Sequence, residues 1–347
     1  MPGIKESARK LPELRLLWEH HLNDHVIALA WSPSGKKLAA ASVSGEIAIY
    51  SDDGAARLTL PGHDFGATAV AWSADGQHFA SAGQDGKIKL WDIAARSPRA
   101  VLEGGAAWVE HLAWNPLKST PPLLASAAGR KLRLWSAAGE LLREYPDQPS
   151  TVSAIRWKPG TQFLTSAAYG RVAIWTPLVD QPFKKFSWKG SILALEWSPH
   201  GKFIAAGGQD STVHFWFEKT GKDLQMWGYP TKVRELSWSA DSRYLATGGS
   251  PEVTIWDCIN SPAGTKPIQL VGHEKFLTQL TYQRKGPLLA SSSEDGRVVM
   301  WNPVKSTKAL AGIGANSAIA KIAWSPDDRL LAAGSASGAV FALAAPE

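Results

Sequence analysis

The fold is decided by residues 63–91, which read HDFGATAVAW-SADGQH-FASAG-QDG-KIKLW. Apolar residues recur at every second position before Trp72, as in a half-buried strand. The pattern repeats twice after Gly-containing turns, so the segment predicts an antiparallel meander. Its three strands end at Trp72, Ala82 and Trp91, and its turns lie at 73–76 and 84–86.

The same unit recurs along the whole chain in eight copies. The first strands end, about 40 to 44 residues apart, at Trp31, Trp72, Trp114, Trp157, Trp197, Trp238, Tyr282 and Trp324. The third strands end in the same register at Tyr50, Trp91, Trp135, Trp175, Trp216, Trp256, Trp301 and Leu343. A period near 40 residues with about four strands per unit is typical of a propeller blade.

Short motifs at this spacing resemble those of the WD40 family. They are Gly62-His63 with Asp85 and Trp91-Asp92, Gly272-His273 with Asp295 and Trp301, and Trp256-Asp257. The resemblance covers nearly the whole chain and implies an all-β fold, an eight-bladed WD40 β-propeller with four-stranded antiparallel blades. It also implies two buried hydrogen-bonded tetrads: His63, Ser81, Asp85 and Trp91, and His273, Ser291, Asp295 and Trp301.

The other blades depart from the tetrad pattern. Asp210 is in register with Trp216, but Trp188 occupies the histidine position, where its indole N–H could donate to the carboxylate. Gly129, Tyr169 and Pro251 stand at or near other Asp positions. These blades are expected to rely on apolar packing and to be less rigid.

A fourth, outer strand is expected after each third strand. The expected positions are 57–60, 99–102, 141–144, 184–187, 224–227, 268–271 and 308–311. The eighth unit lacks one, and about Leu14 to Trp18 has the apolar pattern to complete it and close the ring, which removes a free edge. If the last unit packed outside the ring, the number of blades would be seven. Residues 1–10 are expected to form a tail and residues 11–347 a single domain.

Composition favours a globular protein of the cytoplasm. The net charge is +6, the pI is near 9.3 and apolar residues make up 44%. The single cysteine, Cys258, excludes an internal disulfide, and no signal peptide or membrane span is evident. Basic residues on or beside outer strands are expected to protect blade edges; the alternative, a nucleic-acid belt, is less favoured. They are Arg57, Arg99, Arg143, Lys184, Lys185, Lys222 and Lys308.

No pattern of catalytic residues stands out, so no enzyme activity and no cofactor are predicted. The chain has no nucleophile elbow, Walker loop or dinucleotide fingerprint. An alternative concerns metal: His20, His21 and His25 fall within six residues, beside Asp24. Such ligands suit zinc, but the spacing matches no standard metal motif.

The face that WD40 proteins usually present to partners holds the candidate binding residues. Trp108 has no place in the strand register and lies in a loop on this face, where an exposed Trp would anchor an interface; packing onto its own blade is the alternative. The resemblance places eight more residues around the channel mouth: His25, Glu110, Lys232, Arg234, Phe276, Gln84, Gln209 and Glu294. Their mixture of aromatic rings and both charges is typical of a protein-binding hot spot.

The sequence therefore predicts a non-catalytic scaffold that binds a protein or peptide, or a complex of several chains, through this face. The protein is expected to be monomeric by itself. The second hypothesis is a metal-associated accessory protein that uses the three histidines of the first loop.

Overall fold

A computed structural model of the chain describes residues 11–105, 108–118, 120–259, 262 and 264–346. The expected tail, residues 1–10, lies outside the described residues. The described residues form 32 β-strands, arranged as eight sheets of four antiparallel strands. Nowhere in these ranges is there a helix long and apolar enough to cross a membrane. The eight-bladed propeller predicted from the aromatic register is confirmed.

Each of the first seven blades consists of four consecutive strands. Blades 1 to 4 contain β2 (Val26–Trp31), β3 (Lys37–Ser42), β4 (Ile47–Ser51), β5 (Arg57–Leu60); β6 (Ala67–Trp72), β7 (Phe79–Gly83), β8 (Lys87–Asp92), β9 (Ser97–Glu103); β10 (Val109–Trp114), β11 (Leu123–Ala128), β12 (Lys131–Ser136), β13 (Leu141–Glu144); and β14 (Ala154–Trp157), β15 (Leu164–Ala168), β16 (Arg171–Trp175), β17 (Lys184–Ser187).

The remaining blades follow the same order. Blades 5 to 7 contain β18 (Ile192–Trp197), β19 (Phe203–Gly208), β20 (Val213–Phe217), β21 (Asp223–Met226); β22 (Leu236–Trp238), β23 (Tyr244–Thr247), β24 (Val253–Asp257), β25 (Ile268–Leu270); and β26 (Leu277–Tyr282), β27 (Leu289–Ser293), β28 (Arg297–Trp301), β29 (Ala311–Gly314). Blade 8 contains β30 (Ile319–Trp324), β31 (Leu330–Ser335), β32 (Ala339–Ala344) and the N-terminal strand β1 (Leu16–His21).

Strand β1 closes the ring by pairing antiparallel with β32, with Trp18 opposite Ala342. The closure was predicted, but the strand lies slightly later than Leu14 to Trp18. The reason is that the residues before it pair elsewhere: Leu14 N donates to Gly312 O (3.1 Å), and Gly312 N donates to Pro12 O (2.9 Å). The N-terminal segment therefore ties blade 7 to blade 8.

The eighth unit lies in the ring, and hydrogen bonds between first strands show it. Trp72 Nε1 donates to Ala30 O of the preceding blade (3.1 Å). Trp31 Nε1 donates in the same way to Ala323 O of blade 8 (3.0 Å). A first-strand indole that bonds to the preceding blade recurs at Trp114, Trp157 and Trp324. The aromatic that ends a first strand thus joins neighbouring blades as well as filling the core.

The core lies between blades, where the face of one sheet packs on the next. Ile47 and Leu60 of blade 1 pack with Phe79 and Trp91 of blade 2, and all four are buried. The alternation of side chains along each strand produces this packing, because one face of a blade meets the preceding blade and the other face meets the following one.

The outer strand of blade 7 differs from its predicted position at 308–311. It is β29, three residues later, because a hydrogen-bonded turn follows the third strand: Lys305 N and Ser306 N both donate to Asn302 O (3.0 Å each). Pairing resumes where Leu310 N donates to Met300 O (2.8 Å).

Candidate partner-binding face

The entry loop of blade 2 is held by a buried tetrad. Trp91 Nε1 donates to Ser81 Oγ (2.8 Å), Ser81 lies 2.7 Å from His63 Nε2, and His63 Nδ1 lies 3.0 Å from the Asp85 carboxylate. With the Ser81 hydroxyl donating to Nε2, His63 is neutral and its Nδ1–H donates to Asp85. Gly62 has φ 68°, and a Cβ there would collide with the carbonyl of Gly45. Glycine is therefore required before the histidine.

Blade 7 contains the second tetrad. Trp301 Nε1 donates to Ser291 Oγ (2.8 Å), Ser291 lies 2.8 Å from His273 Nε2, and His273 Nδ1 lies 3.1 Å from Asp295 Oδ2. Burial lowers the pKa of His273 despite the neighbouring carboxylate. A neutral imidazole is what this arrangement of one donor and one acceptor nitrogen requires.

Three blades without a full tetrad still contain buried polar links, so apolar packing alone does not hold them. Trp135 Nε1 donates to Ser126 Oγ in blade 3 (2.8 Å), and Trp175 Nε1 donates to Ser166 Oγ in blade 4 (2.9 Å). In blade 6 Trp256 Nε1 donates to Tyr229 Oη (2.8 Å). These Trp–Ser pairs of blades 3 and 4 were not predicted, because the sequence analysis looked for complete tetrads only.

Blade 5 uses a different arrangement around Asp210. Its carboxylate accepts a hydrogen bond from Thr212 Oγ1 (2.8 Å). The Trp188 ring packs on His214, with ring centroids 3.3 Å apart. The two ring planes are inclined by 39°. Among the described residues Trp188 makes no hydrogen bond to Asp210, so it contacts a histidine of the third strand in place of the predicted bond to the carboxylate.

Main-chain hydrogen bonds join the turns between second and third strands to the entry loops of the first strands, and both contain predicted binding residues. Gln84 N donates to Gly66 O in the entry loop of blade 2 (2.9 Å), and Glu294 N donates to Phe276 O in blade 7 (3.0 Å). Gln209 is joined to the entry loop of blade 5 by the same kind of bond. The second-to-third-strand turns and the entry loops of the first strands therefore form one face of the ring.

The predicted binding residues on this face differ in exposure. Trp108 is 53% exposed and Phe276 is 44% exposed. Glu110, Lys232, Arg234, Gln209 and Glu294 are exposed, whereas His25 and Gln84 are half-buried. Burial raises the pKa of Glu110. Trp108 does not fold back into the core of its blade, so its side chain remains available to a partner.

Two further aromatic residues on the same face were not predicted. Phe65, in the entry loop of blade 2, is 85% exposed and has φ 63°. Tyr169, in the turn between β15 and β16, is 58% exposed, and its N–H donates to Ser150 Oγ of the entry loop (2.8 Å). A non-glycine residue in the left-handed region is often a sign of function. The sequence did contain one indication for Tyr169: an aromatic residue stands at or near the position that the turn Asp occupies in the complete tetrads.

The three histidines of the metal hypothesis do not converge. His20 and His21 are neighbours on β1 and point to opposite faces of the strand. His20 Nε2 is bonded to Gly54 O (2.8 Å), and His21 lies 3.2 Å from Glu19. Among the residues that the structure describes, no group of three His, Cys, Asp or Glu side chains could hold a metal ion.

Comparison with protein families identifies the repeat. The model described as WD domain, G-beta repeat matches more than half of the chain, at residues 13–51, 54–92, 181–216, 221–257, 264–302 and 307–341. The chain belongs to the WD40 family. Residues 93–180 lie outside these six segments and contain blade 3 and most of blade 4 of the WD40 ring, including Trp108 and Tyr169.

Curated relatives of this WD40 protein share part of its length. It is 26% identical over 223 residues to Protein HIR1 of Cryptococcus neoformans var. neoformans serotype D, an alignment of 53% of this chain and 25% of that protein. It is 29% identical over 150 residues to F-box-like/WD repeat-containing protein TBL1X of Mus musculus, covering 38% of this chain and 28% of the relative. The chain thus spans about a quarter of the length of these relatives.

A solved structure shares the architecture. The crystal structure of the computationally designed Ika8 protein superimposes with a TM-score of 0.81 over 96% of this chain and 100% of that chain, at 22% sequence identity. At this identity the likeness concerns the fold alone.

Proposed function

We propose that this WD40 protein is a non-catalytic interaction scaffold that binds a protein or peptide through the face carrying Trp108. The observation that carries the proposal is the presence of exposed aromatic side chains on this face of three successive blades: Phe65, Trp108 and Tyr169. Aromatic residues are enriched among the side chains that dominate binding energy. Phe276 adds a fourth exposed ring on blade 7.

Charged groups around these rings would supply specificity. Lys232 and Arg234 both lie in the entry loop of blade 6, and Glu110 and Glu294 provide the opposite sign on blades 3 and 7. A partner that matches both the rings and the charges would be selected over one that matches the rings alone. The closed ring would hold these loops in place before binding, which reduces the ordering cost.

The proposal is tested by comparing variants for capture of partners identified by affinity purification and mass spectrometry from the native cell. Trp108→Ala and Phe65→Ala should each weaken a captured partner by about tenfold or more, as expected for hot-spot residues. Because Trp108 and Phe65 are exposed, their removal should leave the melting temperature nearly unchanged.

Leu178→Ala is the control. Leu178 is 83% exposed and lies in the turn between the third strand β16 and the outer strand β17, at the end of the blade opposite to the proposed face. Its removal should leave binding unchanged. Equal binding by wild type, Trp108→Ala and Phe65→Ala would refute the site, whereas loss with Leu178→Ala alone would move it to the opposite face.

The same proposal includes residues 11–347 as one domain that acts in the cytoplasm. The closed ring, which runs from β1 to β32, supports the single domain. Limited proteolysis should leave a resistant core that includes both strands. The metal-associated alternative is not carried forward, because its histidines do not converge.

A further inference from the structure

A cavity of about 480 Å³ lies in the centre of the ring. Its lining comes from the first strands of blades 4 to 8 and the loops beside them, among them residues of β14 and β30 on opposite sides of the ring. The space therefore extends across the central channel. Its volume is in the range of sites that bind small molecules.

The charged part of the lining comes from blades 4, 5, 6 and 8. Five charged residues contribute to it: Arg156, Glu196, Arg234, Glu235 and Lys321. The first strands of blades 1 and 2 instead carry alanine at the positions that correspond to these side chains: Ala28, Ala30, Ala69 and Ala71. The charge of the channel is thus concentrated at the cavity.

Arg156 and Glu196 neutralise each other. Arg156 Nε and Nη2 donate to the same oxygen of Glu196 (2.8 and 2.7 Å), and Nη1 donates to Ile155 O (2.9 Å). The attraction of Glu196 raises the pKa of Arg156. The guanidinium of Arg156 thus has most of its donors engaged within the protein, and its charge is balanced by Glu196.

Lys321 is different. Within the part of the chain that the structure describes, its ammonium has no ion-pair or hydrogen-bond partner, although the residue is half-buried. Burial and the nearby Arg156 lower the pKa of Lys321, and Glu235 opposes this effect. A cation removed from water without a counter-ion is costly, so an anion at this place would stabilise it.

The remaining groups leave the cavity with an excess of positive charge. Arg234 adds a second cation whose side chain is not ion-paired among the described residues. Glu235 is the remaining carboxyl group, and burial raises its pKa. Even with Glu235 ionised, the three cations outnumber the two carboxylates by one charge. Gln279 accepts a hydrogen bond from Ile322 N (3.0 Å) and donates one amide hydrogen to Ile322 O (2.9 Å), so its second amide hydrogen could donate to a ligand.

The rest of the lining is mainly polar. Ser237, Thr278 and Thr281 border the same space, whereas Trp197 and Trp238 are buried within their blades. Such a lining suits a small, polar anion that can accept hydrogen bonds from hydroxyl groups.

We propose that the channel cavity binds a small organic carboxylate, whose carboxylate group pairs with Lys321 and whose remaining atoms lie against the polar lining. The lining side chains of the cavity differ from the exposed rings of the partner-binding face. Arg234 belongs to both, and it would connect a bound carboxylate to the surface.

Calorimetry and thermal unfolding with acetate, succinate and inorganic phosphate, against chloride at equal ionic strength, test this proposal. Succinate should bind and raise the melting temperature of the wild-type protein. Lys321→Met should weaken that binding about tenfold or more, the loss expected for a hydrogen bond to a charged group. Lys321→Arg should restore part of the affinity because it keeps the charge.

Lys308→Met is the matched control, because Lys308 is an exposed lysine outside the cavity. It should bind succinate as the wild type does. Two results would overturn the proposal: no effect of acetate or succinate beyond that of chloride, or an effect that Lys321→Met leaves unchanged. Lys321→Met should itself fold, since it replaces an unpaired half-buried charge by an apolar side chain.

Discussion

Ser81 illustrates how much one buried hydroxyl can hold in this fold. It accepts from Trp91 and lies within hydrogen-bond distance of His63, whereas Ser126 of the next blade bonds Trp135. Ser81→Ala would leave two buried polar groups unpaired, at about 1–3 kcal/mol each, and Ser126→Ala would leave one. We expect denaturant unfolding to show a loss about twice as large for Ser81→Ala. Equal losses would mean that the bond between His63 and Ser81 contributes nothing.

Individual residues also show what could and could not be predicted from the sequence. The partners of His63 could be named in advance, because the resemblance to the WD40 family implies the tetrad and the register of the repeat locates its members. Phe65 could not, because its exposure depends on a left-handed backbone that brings Gly66 against Gln84. Lys321 could not either, because the channel that it lines exists only when blades from both ends of the chain meet.

Strand β1 is the element on which ring closure depends. Its Trp18 is buried, donates through Nε1 to Asp52 O (2.9 Å) and packs on Tyr50 of blade 1. Trp18→Ala should cost about 3–5 kcal/mol, as removal of a buried aromatic does. Leu17→Ala, on the exposed face of the same strand, should change the free energy of unfolding by less than about 0.5 kcal/mol.

Chemical denaturation of the two variants measures this difference. A Trp18→Ala protein as stable as Leu17→Ala would show that β1 does not hold the ring closed. At this scale the apolar pattern was enough to predict the closing strand, but not its bounds. Pro12 and Leu14 pair with Gly312 of blade 7, and the repeat pattern of the sequence does not predict this contact.

The whole ring should lose stability in mild acid, because burial lowers the pKa of six of its nine histidines. These groups are His63, His78, His111, His200, His214 and His273. For His111 the pKa falls from 6.5 to about 4. Above about pH 6.5 such a histidine is neutral in both states, and below it only the unfolded chain takes up the proton. Stability is therefore complete above pH 6.5 and is lost as the pH falls towards 4.

Two carboxyl groups act in the opposite sense. Burial raises the pKa of Glu110 and Glu235, so the folded chain binds their protons more readily, and their contribution grows as the pH falls. The histidines outnumber these two carboxyl groups, and they begin to titrate in the unfolded chain at a higher pH. We therefore expect the protein to lose stability in acid. Denaturant unfolding between pH 7.5 and 4.5 measures it, and His111→Gln should flatten the curve because it removes one of the titrating groups. A free energy of unfolding that stays constant or rises over this interval would show that these imidazoles are not buried in the neutral form.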